Sequence, residues 1–227
     1  MALLDETSLT ATVDAVNAAF FYGEKTTAAD RQKAARWIAS RQGLPGSYGD
    51  MFAMTEGDSA EGVRIFTGQE VGSGGGARHV LGEETCRALR LLDAAQPGVQ
   101  QALDRATAFM AGKMTGGTMQ RGMYCCGRCT PSVWRHISAG LTDQEPWEEF
   151  VYAGLRTLKA SRLDTGKWRF FPFHYTLLAL TEMDGPAAIA EMRHAAPLCE
   201  KTVARKPRPG EYARRQWLVA ERVLAKC

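Results

Sequence analysis

Three of the chain's six cysteines, Cys125, Cys126 and Cys129, fall within five consecutive positions of a 227-residue sequence. In Cys126-Gly-Arg-Cys129 two thiols stand three residues apart, a spacing at which one turn can bring both sulfurs to a single metal ion or to each other. Three readings stay open on the residues alone: a metal site, redox chemistry, or small partly buried thiols with no joint role. Zinc is the metal that thiolate sulfur and imidazole nitrogen favour, in a tetrahedral shell where three protein ligands leave a fourth position for water or substrate. Cys125 as a fourth ligand would close that shell. The Cys-x-x-Cys form lacks the strand-then-helix context of thioredoxin-like folds, which ranks redox last. Six cysteines in a chain this long are also too few for the disulfide framework of a small secreted domain.

The elements that must position these thiols are helices. Leu9, Val13, Val16, Ala19 and Phe20 recur at spacings of three and four, so Ser8 to Tyr22 reads as a helix burying one face. Thr27 stands as an N-cap for a second helix from Ala28 to Arg41, stopped by Gly43, Pro45 and Gly46. Val99 to Lys113 gives a third, and Pro146 at a first helical position opens another through Arg162. Partner helices start near Glu84, Thr130 and Tyr175, about 45 residues apart, which is the mark of stacked helix hairpins. Glu211 to Lys226 closes the chain as a terminal helix. The expectation is an all-α single domain over residues 1–227. A Gly-rich inserted loop at about 55–82 acts as a connector, with a short hairpin around Val63 to Phe66. The phosphate-loop pattern is absent from those glycines.

Two segments carry a resemblance. Gly166-Lys-Trp168-Arg-Phe170-Phe171-Pro-Phe-His174-Tyr175 and Met123-Tyr124-Cys125-Cys126-Gly127-Arg128-Cys129-Thr130-Pro131-Ser132-Val133-Trp134 resemble the α/α toroid family, which holds terpene cyclases and the catalytic β-subunits of protein prenyltransferases. The first is similar to the family's Gly-x-Trp turn and the aromatic-rich inner helix that begins with a zinc-binding histidine. In the second, Cys129 matches the family's cysteine ligand and Cys126 stands roughly where its aspartate does. The resemblance implies an α/α toroid-like array of about three helix hairpins plus terminal helices, either truncated to a half-ring or closed by a second subunit in a homodimer. It implies zinc at Cys126, Cys129 and His174. Around that site it places a pocket of Tyr124, Arg128, Trp134, His136, Trp168 and Phe171, suited to a small hydrophobic or thiol-bearing molecule. His136 lies two helical turns beyond Cys129 and so falls on the pocket wall rather than on the ion.

Charge and hydropathy narrow the classes. The formal charge is +3 and the cations are spread, apart from Arg205-Lys206-Pro207-Arg208 and Arg214-Arg215, which read as a solvated basic end with no nucleic-acid partner. No apolar stretch approaches the roughly 20 residues of a membrane span. The N-terminus turns acidic at Asp5-Glu6 before a signal-peptide core forms, so a cytoplasmic location is expected. The rival from another class is a non-catalytic binding or scaffold protein whose helical groove takes a peptide or partner helix.

Overall fold

The computed structural model describes residues 2–71, 74–142 and 144–227. Among these the chain forms eleven α-helices and one two-stranded antiparallel hairpin, an all-α fold. Its contacts group it into two compact units, Met1–Ile65 with Glu70–Lys113, and Phe66–Gln69 with Met114–Cys227.

The first unit holds α1 (Leu9–Tyr22), α2 (Ala28–Ser40), α3 (Glu56–Glu61), β1 (Val63–Arg64), β2 (Glu70–Val71), α4 (Gly74–Leu92) and α5 (Pro97–Lys113). A single carboxylate organises its entry. Asp58 accepts from the backbone N–H of Leu9 at 2.9 Å, the N–H of Thr10 at 3.1 Å and the Ser8 hydroxyl at 2.6 Å, satisfying donors that the start of α1 would otherwise leave open. The same side chain completes a capping box with Thr55 at the start of α3. Burial alone would raise the Asp58 pKa, but the bonds from Ser8, Thr55 and Thr10 outweigh it and hold the group below the usual carboxylate range. Between α1 and α4 the Asn17 amide donates to Glu84 at 3.0 Å and accepts from Arg87, so the polar groups buried there are paired. Thr27 caps α2 as the sequence predicts.

The Gly-rich stretch departs from expectation. α4 begins at Gly74, ten residues before the predicted start near Glu84, and takes Gly74, Gly75 and Gly76 into its first turn. Glycine disfavours helix, but α4 is buried from His79 through Leu89, and tertiary burial overrides propensity. The predicted connector therefore shrinks, and Gly72 and Ser73 of it lie outside the described residues. This start also makes the hairpin spacing uneven.

The second unit holds α6 (Gly117–Arg121), α7 (Thr130–Ser138), α8 (Trp147–Ala160), α9 (Phe173–Thr181), α10 (Pro186–Val203) and α11 (Glu211–Lys226). Pro146 takes the N-cap of α8 rather than its first helical position. Tyr175 to Leu180 of α9 are buried without a break, which fits a central helix packed by α7, α10 and α11. Around Gly122 and Gly154 the backbones approach so closely that a Cβ on Gly154 would stand 2.7 Å from the Gly122 oxygen and 2.7 Å from the Trp134 ring. Arg215 is buried with its guanidinium 4.0 Å from the Phe66 ring centroid, donating to the Phe66 carbonyl at 3.1 Å and paired with Glu211. No helix among the described residues is long and apolar enough to cross a membrane.

Candidate metal centre

The turn before α7 presents the thiols. The Cys126 carbonyl accepts from the N–H of Cys129 and of Thr130, both at 3.2 Å, and from the Thr130 hydroxyl at 2.8 Å. Cys129 is the N-cap of α7, and its own carbonyl accepts from the Ser132 hydroxyl at 2.7 Å. Gly127 permits the turn to sit against its neighbour, because a Cβ there would lie 2.9 Å from the Phe170 carbonyl oxygen and 3.2 Å from the Phe171 ring. Phe171 in turn stacks on Trp134 of α7, centroids 5.9 Å apart and planes 17° apart. The loop is thus fixed from both sides by backbone bonds and by aromatic packing.

The result is a triangle of sulfurs. Cys126 Sγ lies 3.5 Å from Cys129 Sγ and 3.8 Å from Cys125 Sγ, and Cys125 and Cys129 are within 4.8 Å. Four thiolates on zinc at about 2.3 Å would have neighbouring sulfurs roughly 3.8 Å apart, so the triangle matches three corners of such a shell. The three sulfurs are spaced as ligands of one ion would be. Cys129 is buried, whereas Cys125 and Cys126 are exposed.

Crowding and burial keep Cys129 a thiol while no ion is bound. The Cys129 thiol is pushed well above its usual range, first by its hydrogen bond with Cys125, then by burial and by the charge that Cys125 and Cys126 would carry. An α-helix N-terminus favours a thiolate, but here the crowding of thiols wins. Three thiolates this close need a cation among them, and a metal that displaces the protons supplies one.

The other predicted residues fall in different places. His174 is not gathered with the cysteines: its ring lines a cavity with Lys167, Leu198 and Trp217. Burial and then the Lys167 charge lower its pKa to about 4, with no thiol acting on it. The reason lies in α9, where His174 stands one residue before the buried run from Tyr175 and is carried to the side facing α10 and α11. Trp134 and His136 are fully buried, and Trp168 and Phe171 nearly so. Trp168 donates its indole N–H to Glu191 at 2.9 Å, and Glu191 is also held by Arg162 at 2.9 Å. These aromatics pack the second unit's core and support the thiol loop from behind. Tyr124 is half-buried beside the cysteines, and Arg128 is exposed on the same turn. Arg135 is committed to Glu182 through two bonds of 3.0 and 3.1 Å.

Cys125, an optional fourth ligand by sequence, completes the triangle with its sulfur 3.8 Å from that of Cys126. Phe170 belongs to the aromatic segment that the sequence places beside the cysteines. It stands 75% exposed with φ of 70°, a left-handed conformation that bulky residues seldom adopt, and its carbonyl is the one that meets Gly127.

Comparison with known protein families, curated proteins and solved structures finds no match to this chain.

Proposed function

We propose that the chain is a zinc protein of transferase-like type, holding the ion through Cys125, Cys126 and Cys129 and turning the fourth position toward a small hydrophobic or thiol-bearing molecule. The observation that supports this is the sulfur triangle, with separations of 3.5 and 3.8 Å and a third side under 4.8 Å, two of its members exposed. Zinc, when bound, supplies positive charge and Lewis acidity that favour thiolate over thiol near neutral pH.

The chain's own residues do the rest. The Cys126 to Thr130 turn holds the sulfurs by backbone bonds, so little conformational freedom is lost when a ligand arrives. Phe170, exposed beside Gly127, offers apolar surface to the body of a hydrophobic molecule. Arg128 on the same turn offers a guanidinium to an anionic group. The likeness to toroid enzymes favours group transfer over a purely structural site, and a second subunit closing a half-ring belongs to the same reading. A cluster of reduced thiols suits a reducing compartment, which supports a cytoplasmic location.

Cobalt substitution tests the reading. Cobalt bound by three thiolates gives intense sulfur-to-metal charge-transfer absorption, expected for the native chain and lost in Cys126→Ala and Cys129→Ala. Absence of that absorption in the native chain returns it to a scaffold reading in which the cysteines are incidental.

A further inference from the structure

The second unit carries another cavity, of about 440 Å³, in the size range of small-molecule sites. It shares no residue with the thiol cluster. Five cations line it: Lys167 from the loop before α9, Lys201 from α10, and Arg205, Lys206 and Arg208 from the segment between α10 and α11. No aspartate or glutamate lines it, and none of the five has an ion pair among the described residues. The whole chain carries a formal +3, so five positive charges around one cavity are a local concentration rather than a share of a general excess.

Part of this arrangement has a local explanation. Lys201 and Arg205 sit at the C-terminal end of α10, where the helix dipole favours cations. That account does not reach Lys167, some thirty residues earlier, or Arg208, held in Pro207-Arg208-Pro209 where the prolines stiffen the backbone. Like charges brought together with no acidic partner repel, and an anion between them removes that cost.

The cavity is not only cationic. Phe173 and Trp217 form aromatic walls, and Leu198 and Ala213 add apolar surface. The Trp217 indole N–H is bound to the Arg205 carbonyl at 2.9 Å, which fastens the ring to the cationic segment. His174 lines the same cavity as a neutral ring, kept so by burial and by the charge of Lys167. Cations beside fixed aromatic rings are the elements that hold a phosphate group and a flat base at once.

The geometry points to a binding site for a small molecule with more than one phosphate and an aromatic body, a nucleoside diphosphate or a close chemical relative, between α9, α10 and α11. The phosphates lie among Lys201, Arg205, Lys206 and Arg208, and the aromatic body lies against Trp217 and Phe173.

Calorimetric titration of the full chain at physiological salt tests this, with ADP, inorganic pyrophosphate, adenosine and a single-stranded oligonucleotide as probes. Saturable one-to-one binding of ADP is expected, with pyrophosphate and adenosine each weaker by about tenfold or more. A Lys201→Glu/Arg205→Glu variant, altered only at exposed side chains, loses about tenfold or more in ADP affinity while keeping its circular dichroism and zinc content. If that variant misfolds, Lys201→Gln/Arg208→Gln serves in its place with the same expected loss. Any of four results overturns the proposal: no ADP binding at millimolar concentration, affinity retained by the folded charge variants, pyrophosphate binding as tightly as ADP, or the oligonucleotide binding more tightly than ADP. Metal loss at the thiol cluster leaves these results unchanged, so the two sites fail or stand separately.

Discussion

Gly127 and Phe170 meet backbone to backbone: a Cβ on Gly127 would stand 2.9 Å from the Phe170 carbonyl oxygen. The neighbour is main chain and cannot swing aside, so Gly127→Ala must push the Cys126–Cys129 turn away from the 170–171 segment. We expect a loss of roughly 1–3 kcal/mol in stability and a lowered metal occupancy, read by denaturant unfolding and by metal analysis of the same preparation. Full occupancy at native stability would show that the turn does not depend on this contact.

Gly154→Ala is a larger lesion of the same kind. Its Cβ would meet the Gly122 oxygen and the Trp134 ring, each at 2.7 Å, and Trp134 is the residue on which Phe171 stacks. Destabilisation of about 2–3 kcal/mol or more is expected from the overpacking. Thermal unfolding followed by tryptophan fluorescence measures it.

Asp58 ties the start of α1 to the start of α3, so Asp58→Ala removes several bonds to otherwise open donors. The expected cost is about 2–4 kcal/mol, the sum of lost caps and of buried donors left unsatisfied. The pH dependence has a definite sign. Because its folded pKa lies below 3.8, the group adds stability that is present above the unfolded value and disappears as pH falls through the folded one. The native chain should lose this stability at pH below 3.8 and the variant should show a flatter acid limb in chemical denaturation.

His174 acts in a different window. Its pKa falls from 6.5 unfolded to about 4 folded, so between those values the unfolded chain binds the extra proton. Stability is therefore full above pH 6.5 and declines as pH drops toward 4, by about 3 kcal/mol. Replacement of His174 by Gln should flatten that slope in urea titrations between the two pH values. An unchanged slope would show that His174 is not what sets it.

Much of the secondary structure is legible in the residues. Thr27 caps α2 where its place before the Ala28 run says it should, the helix read from Ser8 to Tyr22 forms as α1 with Ser8 as its cap, and Glu211–Lys226 forms the terminal helix. The start of α4 is hidden because three glycines argue against helix locally, while the burial that overrides them comes from residues distant in sequence. The site was half legible. Cys126 and Cys129 come together because a turn of three residues makes them do so, and that is a local fact. His174 is 45 positions beyond Cys129, and only the packing of α9 against α10 and α11 decides which side its ring takes. The cationic cavity shows the same limit, since Lys167 and Arg208 look like unrelated surface charges until the chain folds.

The central claim is that the three thiols hold zinc. Elemental analysis of the native chain purified without added metal or chelator, beside Cys125→Ser, Cys126→Ser and Cys129→Ser, tests it most directly. The account predicts about one zinc per native chain, substantial loss in each cysteine variant, and retention in His174→Ala. A native chain without zinc that cannot be loaded with it, or occupancy that survives loss of Cys126 and Cys129 but falls with His174, would contradict it.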